Sequence, residues 1–177
     1  WNDDATDADL EGPHGDERRL DLSGGIYPGG KHTHTWRFNS SAECIRCHNS
    51  WSGFALAMQP QQLTENSART LTELGLIDAD YSKRSEARLS NPHDESLTLA
   101  SRARSWLHAN CAHCHRENGG GSVPLMVNAE MDLTEMRALN EKPTRGDFGM
   151  KDAQVIMPGS PWKSVLLHRI ATSGSGH

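Results

Sequence analysis

A chain of 177 residues is long enough for one or two domains. Its formal net charge of −5 argues against a nucleic-acid-binding surface and leaves no basic patch for anionic lipid. Only 35% of the residues are hydrophobic, and no run approaches the roughly 20 apolar residues of a membrane span. The chain therefore has little apolar surface of its own from which to build a core.

The N-terminal part is predicted to lack a folded domain until about residue 30. Residues 1–29 begin with a concentration of acidic side chains, which favours a solvated arm or linker. Residues 20–38 then combine apolar positions with the turn signals Gly24-Gly25 and Pro28-Gly29-Gly30. Because residues 33–38 alternate in polarity, we expect a short hairpin or an extended segment there.

Helices are predicted for most of the remaining chain. Ser40 and Ser41 are typical helix N-caps, and the first helix should run from there through residue 48, at most to residue 58. A polar helix over 63–74 should end at Gly75. The clearest helix is predicted over 97–114 with Ser96 as its cap, followed by a short helix near 133–139 and a final one that begins at Ser160-Pro161.

Two stretches within these helices have the same pattern, C-x-x-C-H, and together they use all four cysteines of the chain. They are Cys44-Ile45-Arg46-Cys47-His48 and Cys111-Ala112-His113-Cys114-His115. This pattern is typical of c-type haem attachment, in which both thiols add to the haem vinyl groups and the histidine binds the iron. We therefore predict two haem c groups, with thioethers at the four cysteines and with His48 and His115 as proximal ligands.

Two other chemistries use paired cysteines. Four thiolates could close a structural zinc site, but the two pairs are separated by far more chain than the roughly 15–20 residues of a compact zinc ribbon. A disulfide scaffold is less favoured, since C-x-x-C pairs seldom crosslink a fold of this length. A haem is also a large apolar disc, so two of them would supply the packing surface that the composition lacks.

The chain resembles the dihaem c-type cytochrome modules of planctomycete-type proteins, which often end larger chains that carry sugar-dehydrogenase-like propellers. The matching stretches are Thr35-Trp36-Arg37-Phe38, Glu43-Cys44-Ile45-Arg46-Cys47-His48-Asn49, Gln62-Leu63, Arg102-Ala103-Arg104-Ser105-Trp106-Leu107-His108-Ala109-Asn110-Cys111-Ala112-His113-Cys114-His115, Gly146-Asp147-Phe148-Gly149, Pro158-Gly159-Ser160-Pro161 and Ser164-Val165-Leu166. The resemblance extends from about residue 30 to the end. It implies cytochrome c-like folds and electron transfer outside the cytoplasm.

The predicted architecture is mostly α, with two small cytochrome c-like haem domains, long loops, and a short extended or hairpin segment before the first haem. The first haem segment covers residues 30–90 and the second covers 91–177, where the C-terminus looks truncated. Haem attachment at C-x-x-C-H takes place outside the cytoplasm, so we expect a periplasmic or extracellular protein whose leader has been removed, or a fragment of a larger chain.

The sequence offers several candidates for the sixth ligand of each iron. For the first haem we consider His34 and His32, because an extended segment before the attachment helix can cross to the distal face. For the second haem Met157 is the leading residue within the chain, ahead of His168 and His177. The family resemblance argues against Met157, because the family pattern continues beyond residue 177 with a Met-Pro pair that resembles the sixth ligand.

The function predicted from these features is electron transfer without catalysis. Met/His ligation suits an electron carrier, with a dehydrogenase or another cytochrome as donor and a downstream redox protein as acceptor. One alternative is a dihaem peroxidase-like enzyme with one open iron and a distal acid–base group. Another is a subunit of a haem-stacking assembly, including a homo-oligomer.

Overall fold

The computed structural model describes residues 2, 4–10, 12–24, 28–84 and 88–172. Helical residues, short 3-10 turns included, make up 29% and extended residues 12%, and the described part of the chain contains four α-helices and a two-stranded antiparallel sheet. The prediction of a mostly α chain with two small cytochrome c-like haem domains is therefore wrong. The physical reason is that turns interrupt the chain often, so that the longest helix of the described residues has 13 residues.

The only regular sheet of the described residues is a hairpin that precedes the first motif. Strand β1 (Asp16–Ser23) pairs antiparallel with β2 (Lys31–Phe38), in a register that runs from Asp16 opposite Phe38 to Ser23 opposite Lys31. Gly29 and Gly30 have φ values of 76° and 70°, a conformation that glycine adopts without steric cost. The hairpin is longer than expected, since β1 lies within the segment predicted as an arm.

Helix α1 (Ser41–Cys44) is a single turn that presents the first motif. Ser40 caps it, and the Glu43 carboxylate accepts a hydrogen bond of 2.9 Å from the Ser40 backbone N–H, which completes a capping box. The predicted continuation to residue 48 or beyond is wrong. Asn49 starts a separate short turn at Ser50–Ser52, and Gly53 then has a φ of 76°, so a helix cannot continue through this region.

Three longer helices follow, and each begins at a recognisable cap. Thr64 caps α2 (Glu65–Glu73), and the chain leaves this helix through Gly75 at a φ of 68°. Thr98, rather than the predicted Ser96, caps α3 (Leu99–Cys111). A short turn at Pro161–Lys163 leads into α4 (Val165–Ala171). The helix predicted near 133–139 is absent, since residues 133–137 form turns and Leu139 forms an isolated bridge with Ile156.

A small apolar core lies behind the second motif. Its buried members are Ala112, Leu125, Val127, Met136 and Ala138, with Leu107, Cys111, Val155, Ile156 and Leu166 among the side chains packed on it. The Val127 backbone N–H donates to the His115 carbonyl at 2.9 Å, which attaches this core directly to the motif. The second motif is therefore held by packing on one side. The described residues contain no helix with the length and apolar character needed to cross a membrane.

Candidate functional site

The fold brings the two C-x-x-C-H motifs into direct contact. Cys47 and Cys114 are 67 residues apart in the chain, yet their Cα atoms are 5.3 Å apart and their sulfurs form a disulfide. His113 lies beside them, so that one ligand atom from each of Cys47, His113 and Cys114 lies within 4.8 Å of the others. The sequence did not predict this contact, because no local pattern reports which distant segments meet.

The second motif is followed by three glycines, residues 119–121, which we call the glycine loop, and this loop lies against the first motif at Gly120. A Cβ atom built on Gly120 would collide with the Arg46 carbonyl of the first motif. One built on Gly121 would lie 2.9 Å from the Cys114 carbonyl oxygen and 3.0 Å from Nδ1 of His115. The absence of a side chain at Gly120 therefore permits the close approach of the first motif, and its absence at Gly121 lets the loop fold against the second motif itself.

His48 is held in one tautomer by its own loop. Its Nδ1 donates a hydrogen bond to the Phe54 carbonyl, with 2.7 Å between the two atoms. In the neutral ring this leaves the lone pair on Nε2, the arrangement by which a metal-binding histidine is oriented through its other nitrogen. Phe54 adopts a φ of 63°, so a left-handed backbone residue supplies this carbonyl.

His115 occupies a more enclosed environment. Its Nδ1 is buried and has no hydrogen-bond partner of normal geometry among the described residues. Burial lowers the pKa of His115, a backbone interaction with Leu125 opposes that shift, and the charge of Arg169 adds to it. The ring lines a cavity of about 800 Å³ whose apolar wall includes Leu125, Val155 and Val165.

The other two cysteines are free thiols. Cys44 is exposed at the end of α1, and Cys111 is half-buried at the end of α3 against the apolar core. Burial raises the pKa of the Cys111 thiol, which favours its protonated form. Each motif thus contains one free cysteine and one that belongs to the disulfide.

Large apolar side chains around the first motif remain uncovered. Ile45, Trp51, Phe54 and Met58 expose 64%, 57%, 63% and 56% of their surfaces, respectively. These four exposed apolar residues lie within 14 positions that include the first motif, and exposed apolar surface marks a binding site where it is contiguous. We refer to these four residues as the apolar surface of the first motif.

The residues considered as sixth ligands lie in different parts of the fold. His32 and His34 are exposed on β2, with ring centroids 6.2 Å apart. Met157 lines a separate apolar cavity with Trp106 and Leu167, and it does not line the cavity of His115. His168 packs on Phe148 with a ring-centroid distance of 4.3 Å. His177 lies outside the described residues.

His108 is a buried polar residue that sequence reasoning assigned no role. Its Nδ1 accepts a hydrogen bond from the Ala129 N–H at 3.0 Å, and the Gln61 amide lies 3.1 Å from its Nε2. Burial lowers its pKa, while Glu130 at 3.5 Å acts in the opposite direction. His108 therefore connects α3 to segments on either side. Only its position on the inner face of α3 could have indicated this.

The donor set can accommodate covalent haem at both motifs under one condition. An oriented His48, a half-buried His115 with a neighbouring cavity, and an apolar surface around the first motif all suit a porphyrin. Thioether formation at Cys47 or Cys114 requires a free sulfur, so it excludes the disulfide. The residues fit haem once that bond is reduced. Comparisons with protein families, curated proteins and solved structures find no match to this chain.

Proposed function

We propose that the protein is a dihaem c-type cytochrome that carries electrons between a dehydrogenase or another cytochrome and a downstream acceptor. The observation that supports this best is the contact between the two motifs, with 5.3 Å between the Cα atoms of Cys47 and Cys114. Two redox groups attached at these positions are neighbours. Electron tunnelling falls steeply with distance, so proximity of this kind suits transfer within one subunit.

The chain's own residues have separate tasks in this proposal. Cys44 with Cys47, and Cys111 with Cys114, anchor the two groups. His48 and His115 each offer one ring nitrogen to iron, and the Phe54 carbonyl keeps the His48 ring in the required tautomer. Haem c, when bound, supplies a reversible one-electron couple. We further propose that the protein acts outside the cytoplasm, where such attachment takes place.

Maturation then requires a reducing step at the disulfide. A dithiol reductant transfers two electrons and two protons to the Cys47–Cys114 bond, which yields two thiols and leaves the reductant as a disulfide. Each thiol subsequently adds its sulfur and hydrogen across a vinyl double bond, a step that involves no net oxidant. The disulfide between the two motifs must therefore be reduced to thiols before attachment is complete.

Mass spectrometry after production with the haem-attachment machinery tests this function. We expect two covalent haems on the wild type and one on each paired variant, Cys44→Ser/Cys47→Ser and Cys111→Ser/Cys114→Ser. Low-temperature EPR of the oxidised protein should give two low-spin ferric signals. His48→Gln should alter one of them, and His93→Gln, at an exposed turn, should alter neither. A wild type without covalent haem contradicts the proposal, and a substantial high-spin signal favours the peroxidase-like enzyme.

A zinc site is a second candidate because one specific observation favours it. Cys47, His113 and Cys114 could offer three ligands to one ion after reduction of the disulfide, and Zn²⁺ prefers such sulfur and nitrogen ligands. His113→Gln separates the two functions. It should abolish bound zinc if the site is a zinc site, and it should leave two covalent haems if the protein is a cytochrome.

A further inference from the structure

The cavity beside His115 has a charge distribution that the apolar core does not explain. Four cationic side chains line it, namely Arg137, Lys142, Arg145 and Arg169, against a single carboxylate from Glu141. None of the four forms an ion pair within the described part of the chain. A chain with a net charge of −5 thus concentrates unpaired positive charge around one histidine.

The lining of the cavity also combines an apolar part with a cationic part. Leu125, Val155 and Val165 contribute apolar surface, whereas the cations come from residues 137–145 and from the last turn of α4. Its volume is about 800 Å³, within the range of ligand sites that enclose most of a bound molecule. The occupant that fits is therefore a flat or elongated apolar group with carboxylates at one edge.

Arg169 is the best positioned of the four cations. It is half-buried on α4, its guanidinium lies 4.8 Å from the centre of the Phe148 ring, and its Nη2 donates to the Arg145 carbonyl at 3.3 Å. These contacts hold the charge on the wall that it shares with His115. A guanidinium restrained in this way forms a fork that matches a carboxylate.

We propose that Arg137, Lys142, Arg145 and Arg169 bind the two propionate carboxylates of the haem attached at Cys111 and Cys114, and that Arg169 raises the reduction potential of this haem. The inference rests on the proposed function and assigns residues to one of its two sites. A nearby fixed positive charge favours the ferrous form, which carries one positive charge fewer than the ferric form. Removal of that charge therefore lowers the potential.

The test is a spectroelectrochemical titration of the full chain with haem attached. Arg169→Gln should lower one of the two midpoint potentials and leave the other unchanged. Arg169→Lys should restore most of the shift because it returns the charge. Lys83→Gln serves as the matched control, since Lys83 is an exposed cation paired with Asp80 and does not line the cavity. If Arg169→Gln fails to mature, Lys142→Gln should produce a smaller shift in the same direction.

The outcomes separate the inference from the proposed function. Two covalent haems with both midpoints unchanged in Arg169→Gln and Lys142→Gln overturn the inference and leave the cytochrome intact. Equal shifts of both midpoints in these variants and in Lys83→Gln also overturn it, because they indicate only the net charge of the protein. A wild type without covalent haem overturns both proposals.

Discussion

Gly120→Ala should separate the two motifs, because the new methyl group has no room between them. Its Cβ would collide with the Arg46 carbonyl oxygen and would lie 3.0 Å from the carbonyl carbon. The obstacle is backbone rather than the end of a flexible side chain, and the Asn49 amide holds that carbonyl through a hydrogen bond of 3.0 Å. Relief therefore requires the glycine loop to move away from the first motif.

The magnitude follows from two opposing effects. Overpacking of this kind costs roughly 1–3 kcal/mol, while alanine reduces the entropy of the unfolded chain and returns about 0.4–1 kcal/mol. We expect a net loss of about 1–2 kcal/mol in the free energy of unfolding. For a chain of this length, each kcal/mol shifts the melting temperature by roughly 2–4 °C, so Gly120→Ala should melt about 2–8 °C below the wild type.

Thermal unfolding followed by circular dichroism measures this loss, with Gly12→Ala as the control. A Cβ on Gly12 meets nothing within 4 Å, so this variant should melt at or slightly above the wild-type temperature. A second readout is the Cys47–Cys114 disulfide in haem-free protein, which peptide mapping should find less completely formed in Gly120→Ala. If both glycine variants behave alike in both assays, the contact between the motifs is wrong.

Three further predictions concern the supporting structure. Burial lowers the pKa of His108 below its ordinary 6.5. The contribution of the neutral ring to stability is therefore complete above that pH, and it is lost as the pH falls through the lowered pKa. Lowering the pH from 7 to 5 should thus reduce the free energy of unfolding, measured with denaturant, more in the wild type than in His108→Gln, and parallel pH profiles would contradict the assignment. Thr98→Ala removes the cap of α3 and should cost about 1 kcal/mol in the same assay, with Thr98→Ser close to the wild type. Met136→Ala opens a cavity in the core, where Met136 is 2% exposed, and should cost roughly 2–5 kcal/mol. Met58→Ala at an exposed position should change stability by less than about 0.5 kcal/mol, so equal losses in the two methionine variants would refute the buried core.

The motif residues illustrate what local pattern can predict. C-x-x-C-H specifies a set of donor atoms within five positions, so both sets were identifiable without any tertiary information. The existence of α2 and α3 was also predicted, because glycine stops and apolar periodicity are local properties, although Thr98 rather than the predicted Ser96 caps α3. The predicted length of the helix at the first motif was wrong for a local reason. Asn49 capped a new turn, and residues 53, 54 and 58 adopted left-handed backbone conformations.

The contact between the two motifs depends on the tertiary structure. Cys47 and Cys114 are 67 positions apart, and contacts between distant segments, such as Gly120 against Arg46, accompany their approach. The charged cavity is likewise assembled from segments on both sides of the core, which no spacing rule connects.

By itself, the sequence determined the four cysteines and two histidines of the candidate site, because covalent chemistry depends on neighbours along the chain. It also determined the stop of α2 at Gly75, since the conformational preference of glycine acts within a few residues. Only the tertiary structure decided that the motifs form one site, that His108 is buried within α3, and that Arg169 lies on the same cavity wall as His115. Those relations depend on long-range packing, in which the contribution of each residue is set by partners distant in the chain.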